Sequence, residues 1–341
     1  MLSRPCLSTL LLGILVFFLA ATNAESHKMF HKKIVTYPTL YVDPSGHGNF
    51  STIQSAINYI PSNNRNWVRI YVKAGIYREQ IKIPYEKPFI YIQGEGKRKT
   101  RVIWGGHGSI DASATFISHA DNIVVKSISF TNSYNYPPWG NKNKIRPALA
   151  AMISGDKCAF YRCAFLGLQD TLWDVQGRHY FKLCTIQGAV DFIFGAGQSI
   201  YERCTISVVA GALGGLTGFI TAQGRQEQSD PSGFIFKNCN VIGNGKTYLG
   251  RPWRKYARVI FYNTSMSNIV VPQGWNAWSS IGHENQLTFA EHECRGVGAN
   301  TSKRVSWEQK LSIQMVKMLT SLTFIDNDGW INSQAFNMMD Y

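Results

Sequence analysis

The segment Cys163-Ala164-Phe165-Leu166-Gly167-Leu168-Gln169-Asp170 is followed 21 residues later by Cys184-Thr185-Ile186-Gln187-Gly188-Ala189-Val190-Asp191. Cysteine, glycine and aspartate keep their offsets, as equivalent positions on successive coils of a solenoid do. Neighbouring strands lie about 4.8 Å apart, so the two carboxylates stack one above the other. Like charges that close resist joint ionisation, and one pKa rises. A protonated acid beside an ionised carboxylate suits acid–base and nucleophilic work on an ester or a glycoside. In the next coil Gly211 stands seven residues after Cys204, so the carboxylate stack is confined to one level.

Outward from this pair the same pattern recurs: an aromatic residue, a small residue three later, an apolar residue two later. It reads Phe160/Cys163/Phe165, Phe181/Cys184/Ile186, Tyr201/Cys204/Ile206, Phe236/Cys239/Val241 and Phe261/Thr264/Met266, with Val125/Ile128/Phe130 a looser member. The steps are 21, 20, 35 and 25 residues. Fixed strand cores with variable steps predict an all-β, single-stranded parallel β-helix whose inward side chains stack in ladders. Further strands are expected at 39–42, 68–72, 89–93, 102–104 and 123–130, separated by Gly, Asn, Asp and Ser. Ser51 is placed to cap a short helix that turns Ile53, Ala56, Ile57 and Ile60 to one face and stops at Pro61. Residues 313–324 are expected to hold a helix packing on the solenoid, in an otherwise irregular tail. The N-terminal helix and this tail would cover the two open ends of the solenoid.

The chain has 341 residues, 45% hydrophobic and 16% charged, which describes a globular protein. Arg4, the apolar run 9–21 and Thr22-Asn23-Ala24 read as a secretory signal over residues 1–24, since the run is too short to span a bilayer. No later segment is long and apolar enough to cross a membrane. Sequons at Asn49, Asn263 and Asn300 agree with export. The formal charge of +14 favours a polyanion. For an exported protein that points to an acidic extracellular polysaccharide and away from nucleic acid. Cys6 leaves with the signal. Six cysteines remain, with fifteen complete pairings open to them. Most are expected to be core residues of the ladder, with Cys204–Cys239 the favoured bonded pair. No Cys-x-x-Cys or His-x-x-x-His pair suggests a metal site.

Three runs resemble signature blocks of the plant pectinesterases (pectin methylesterases): Gly167-Leu168-Gln169-Asp170-Thr171-Leu172, Gly188-Ala189-Val190-Asp191-Phe192-Ile193-Phe194-Gly195, and Leu249-Gly250-Arg251-Pro252-Trp253. Gly75-Ile76-Tyr77-Arg78-Glu79, Ser154-Gly155-Asp156-Lys157, Gly177-Arg178-His179-Tyr180-Phe181 and Gly296-Val297-Gly298-Ala299 resemble shorter family runs. The likeness extends from about Ile34 to Trp330, and a domain over 34–341 is expected. It implies a right-handed parallel β-helix and hydrolysis of the methyl esters of homogalacturonan (pectin) to methanol and free carboxylates. It implies no metal or organic cofactor, and a short type without the inhibitor-like pro-region. A secreted, monomeric cell-wall enzyme is expected, with a proteinaceous pectinesterase inhibitor as a further partner.

Carried over residue by residue, Asp191 resembles the nucleophile that forms an acyl-enzyme. Asp170 resembles the acid that protonates departing methanol and then the base that activates water, kept protonated by the charge of Asp191. Arg251 would hold Asp191 ionised, Gln169 would donate to the oxyanion, and Trp253 would stack on a sugar ring. Ser133 stands where a substrate-binding threonine is common. Pro147 replaces a glutamine of the oxyanion hole and has no donor to offer. The segment 134–144, with Pro137-Pro138-Trp139, is longer and more aromatic than usual. Alternatives are a pectin-binding wall protein of weak turnover, favoured by Pro147, and another β-helix pectin enzyme, a lyase or a polygalacturonase.

Overall fold

A computed structural model describes residues 38–335, so the signal segment and the expected domain start at Ile34 lie outside it. Among the described residues the strands form three parallel sheets of ten, eight and seven strands. Each coil visits them in that order, and the chain winds as a right-handed parallel β-helix. One coil runs through Cys158–Tyr161, Ala164–Leu166 and Leu172–Asp174. The next runs through Arg178–Lys182, Thr185–Gly188 and Ile193–Gly195. Phe160 pairs with Phe181, Phe165 with Ile186 and Leu172 with Ile193, so the 21-residue offset holds on all three faces.

The predicted ladders fill the interior. Phe160, Phe181, Tyr201, Phe236 and Phe261 stack with ring centroids 5.1, 4.7, 4.7 and 4.5 Å apart and planes within 12°. Each is fully buried, which contributes about 1.5–3 kcal/mol per ring. Beside them run Cys163, Cys184, Cys204 and Cys239, and at this ladder the sequence reading needs correction. All six described cysteines, Cys204 and Cys239 included, are free thiols. Cys163, Cys184, Cys204 and Cys239 occupy equivalent buried positions on successive coils, a stacking that does not by itself supply disulfide geometry. Each thiol lies against a carbonyl of the preceding coil: Cys204 Sγ on Phe181 O at 3.4 Å, Cys239 Sγ on Tyr201 O at 3.1 Å.

A single left-handed residue precedes every ladder position. Ser127, Arg162, Leu183, Arg203, Asn238, Asn263 and Glu293 all have φ between 45° and 62°. This residue turns the chain from the ten-stranded to the eight-stranded sheet. It also divides the expected strand 123–130 into Ile123–Lys126 and Ser129–Asn132. Asn263 is one of these turn residues, and its amide nitrogen donates to Asn238 Oδ1 at 2.7 Å. The sequon residues Asn49 and Asn300 are exposed.

Helix α1 (Ile53–Tyr59) closes the N-terminal end and buries Ile53, Ala56 and Ile57. Its cap is Thr52, whose side chain accepts from Ser55 N, and not Ser51. The Glu79 carboxylate accepts the Ile53 and Gln54 N–H groups at 2.9 Å each, satisfying two orphan donors of the first turn. The expected helix is present and packs on the solenoid, but the tail does not cover the open end. Helix α2 (Ile313–Thr320) and the residues after it lie along the outer face of the ten-stranded sheet. There Leu319, Ile325, Trp330 and Ile331 cover Val124, Ala159, Ile200 and Ile235. Those strands are apolar on both faces, so the outer face needs a cover more than the open end does. The C-terminal end is closed by Trp275 and Trp307 against Phe289.

Candidate active site

The corner between the eight- and seven-stranded sheets builds the site, because its connections differ in length. Residues 105–115 and 133–150 make long loops on two successive coils, and 210–217 make another beyond the pair. Between them the connections 167–171 and 189–192 are short, so two tight turns form the floor between taller walls. Gly188 permits this compactness: a Cβ there would lie 2.2 Å from the Phe192 Cβ.

Asp170 and Asp191 occupy the same place on these two turns. Gln169 bridges Val190, and Asp170 N donates to Val190 O at 3.0 Å. Both aspartates have left-handed backbones, φ 56° and 46°, a conformation that aspartate tolerates better than most residues. Both are partly buried. Burial, reinforced by the charge of Asp191, raises the Asp170 pKa from 3.8 to about 7. Desolvation is therefore the larger cause, and the like charge expected from sequence is the second. Burial also raises Asp191, and Arg251 opposes it through hydrogen bonds and charge.

Arg251 comes from the strand Thr247–Pro252. It stands in register with Ala222, which stands in register with Phe194, three residues past Asp191. The small Ala222 side chain lets Arg251 reach back across a coil. Its Nε donates to Asp191 Oδ1 at 2.9 Å and its Nη2 to Oδ2 at 2.5 Å. The guanidinium lies between the rings of Phe219 and Trp278, 4.1 and 4.0 Å from their centroids. Tyr248 stacks on the far side of Phe219 at 5.2 Å. The result is a fixed cation with a planar fork matched to one carboxylate.

One outward row of the seven-stranded sheet reads Lys82, Ile117, Met152, Trp173, Phe194, Ala222, Arg251 in register. Its middle is apolar. Trp253 is partly buried against it, edge-on to Trp173 at 6.5 Å and to Phe194 at 5.9 Å. Gln169 is partly exposed, and its side-chain amide has no hydrogen-bond partner among the described residues. Its carbonyl accepts Ala148 N at 3.2 Å, which places Pro147 on the adjoining coil beside it. Ser133 is exposed on that same connection, where its hydroxyl donates to Trp104 O at 3.3 Å.

The structure thus gathers Asp170, Asp191, Gln169 and Arg251, sets Trp253 at the edge of the apolar row, and leaves Ser133 on the neighbouring coil. Sequence reasoning missed Trp173 and Phe194, although they repeat the 21-residue offset three residues after each aspartate. It missed Phe219 and Trp278 for a better reason: Trp278 lies in an irregular segment outside the repeat.

The Pectinesterase family model matches residues 39–328. "Probable pectinesterase 29" of Arabidopsis thaliana is 61% identical over 295 residues, covering 86% of this chain and 88% of that protein. "Probable pectinesterase 55" of the same plant is 59% identical over 293 residues, covering 85% and 89%. Among solved structures, the pectin methylesterase from carrot matches with a TM-score of 0.81 at 28% identity, over 89% of this chain and 97% of that one. The deglycosylated Aspergillus niger pectin methylesterase matches with a TM-score of 0.75 at 29% identity, over 87% and 96%.

Proposed function

The chain belongs to the plant pectinesterase family and is an esterase that removes methyl groups from pectin, and from that premise we propose that it does so through an acyl-enzyme on Asp191. The observation that carries this reading is the unequal treatment of two stacked carboxylates. Arg251 takes both oxygens of Asp191, while Asp170 is left to burial and like charge with a pKa of about 7. One is kept ionised for attack and the other protonated for donation.

In the first half-reaction an Asp191 oxygen attacks the carbonyl carbon of a galacturonate methyl ester. The Gln169 amide donates to the oxyanion that forms. As the tetrahedral species collapses, the bond to the methoxy oxygen breaks, and the Asp170 proton goes to that oxygen to release methanol. The acyl-enzyme is a mixed anhydride, in which Asp191 has lost its charge. The like-charge contribution to the Asp170 pKa disappears with it, so Asp170 becomes a carboxylate when a base is needed. It takes a proton from water, and the hydroxide oxygen attacks the acyl carbon. Asp191 then leaves as a carboxylate, held again by Arg251, and the galacturonate departs as a free acid. Trp253 and the apolar row suit the C–H face of the sugar and its methyl ester.

Homogalacturonan of the cell wall is the substrate this reading assigns. The signal-like N-terminus and the charge of +14 support export to an acidic polymer. The test is methanol release from highly methylated pectin by the purified chain beside Asp191→Ala, with polymer length followed by viscosity. Release by the first alone, at unchanged viscosity, is expected. Release by both would remove Asp191 from the mechanism, and falling viscosity would point to a lyase or a polygalacturonase.

A further inference from the structure

The connection 133–150 occupies the same corner as the two aspartate turns, one coil earlier. Asparagines hold it in shape. Asn132 donates to Gly106 O at 2.8 Å and Leu149 O at 3.0 Å, and its Oδ1 accepts Tyr134 N at 3.0 Å. Asn135, 1% exposed, donates to Lys144 O and accepts Arg146 N, both at 3.2 Å, which draws the two ends of the loop together. Asn141 and Asn143 both donate to Tyr134 O, at 3.0 and 2.6 Å. From the corner before, His107 stacks on Tyr134 with centroids 3.7 Å apart and planes at 15°.

A loop ordered by so many bonds exposes side chains that its own packing does not require. Trp139 is 53% exposed, and Lys142, Lys144 and Arg146 are exposed. Residues 134–146 contain no aspartate or glutamate. On the neighbouring corner the Asp111 carboxylate accepts from the Ser109 hydroxyl. An exposed flat aromatic and exposed cations on one ordered, acid-free loop fit a sugar acid. The ring face offers apolar area at low entropic cost, and the ammonium groups offer charge. The floor beside the carboxylate pair is the opposite, an apolar row suited to a neutral ester.

We infer that residues 134–146 form a further saccharide subsite on the N-terminal side of the carboxylate pair. It takes a galacturonate unit whose carboxylate is already free, with Trp139 against the pyranose and Lys142 and Lys144 on the carboxylate. The inference rests on the reading that the cleft holds a galacturonan. A polymer with one freed unit is then held by its acid while a neighbouring ester lies over Asp191, which favours consecutive removal of methyl groups.

Binding to oligogalacturonate and to fully methylated oligogalacturonate, measured by calorimetry in the non-turning-over Asp191→Ala chain, tests this. Trp139→Ala should weaken both about five-fold or more. Lys142→Glu/Lys144→Glu should weaken the free acid about ten-fold or more and the methylated form less than two-fold. The same charge change at Lys303 and Lys317, exposed on the C-terminal segment, should leave both affinities within two-fold. Unchanged affinity in Trp139→Ala would overturn the subsite. An equal loss at the control lysines would reduce the effect to the general field of a basic protein. Melting temperatures should hold, because the substituted side chains are exposed. These outcomes are read without turnover, so methanol release by the unsubstituted chain decides the mechanism separately.

Discussion

Arg251 grips both oxygens of Asp191 from two coils away, passing over Ala222, while Asp170 sits in register with Asp191 one coil apart and is not gripped. The aspartates repeat in sequence and in backbone conformation, and one cation makes them chemically different. Burial acts on both.

The pH dependence of kcat/KM should show that difference. In the proposed mechanism Asp170 carries its proton when methanol leaves, so kcat/KM should fall above about pH 7, approaching ten-fold per pH unit. The same mechanism needs Asp191 ionised, and Arg251 opposes the rise that burial imposes on it. Arg251→Ala should therefore move the acidic limb to higher pH and narrow the profile. A kcat/KM that stays flat from pH 7 to 9 in the unsubstituted chain would exclude Asp170 as the acid.

The same carboxyl should cost stability. Its folded-state pKa lies above the ordinary value, so the folded chain keeps a proton that the unfolded chain gives up. Stability is therefore lost as pH rises from about 4 through about 7, by up to about 4 kcal/mol. Asp170→Asn removes the ionisation and suits a left-handed backbone. Thermal melts should show the variant well above the unsubstituted chain at pH 8 and close to it at pH 4. An equal difference at both values would refer the effect to packing.

Pro147 has no donor to offer, which leaves the oxyanion to the Gln169 amide in the proposed mechanism. Gln169→Ala should lower kcat by on the order of 100-fold with little change in KM, the pattern of an interaction made in the transition state. Pro147→Gln should raise kcat about ten-fold or more. Initial rates of methanol release decide both, and an unchanged kcat in Pro147→Gln would mean that the Gln169 amide suffices.

Trp278 covers one face of the Arg251 guanidinium at 4.0 Å while 43% exposed. A cation–π contact of this kind is worth about 0.5–1 kcal/mol. Trp278→Ala should therefore lower kcat/KM a few-fold and shift the acidic limb slightly upward, with little change in melting temperature. Phe219→Ala, on the other face, should cost more, because Phe219 is less exposed and also stacks on Tyr248. An unaltered pH profile in both variants would mean that the bidentate bond to Asp191 alone orients Arg251.

The ladders could be read in the sequence because a solenoid writes its core periodically. Phe160, Phe181, Tyr201, Phe236 and Phe261 each stand three residues before a small residue, and they stack as that spacing requires. Asp170 and Asp191 shared in that periodicity, and Arg251 came with the resemblance. The irregular parts were not legible. The thiols at Cys204 and Cys239 depend on side-chain direction, which the spacing of cysteines does not encode. The tail's position follows from the apolar outer face of the ten-stranded sheet, a property of several distant strands together. The cation sandwich depends on Trp278, which no repeat places.

The left-handed residue before each ladder position has a consequence for how this protein can change through descent. From Ser127 to Glu293 that corner keeps one form whatever the length of the coil, so it acts as a spine along which insertions and deletions find no room. Over these coils length variation falls in the other two corners, one of which carries the aspartates and their flanking loops. A lineage can lengthen or trim the loop that bears Trp139, and so alter which polymers it accepts, while every core ladder stays in step.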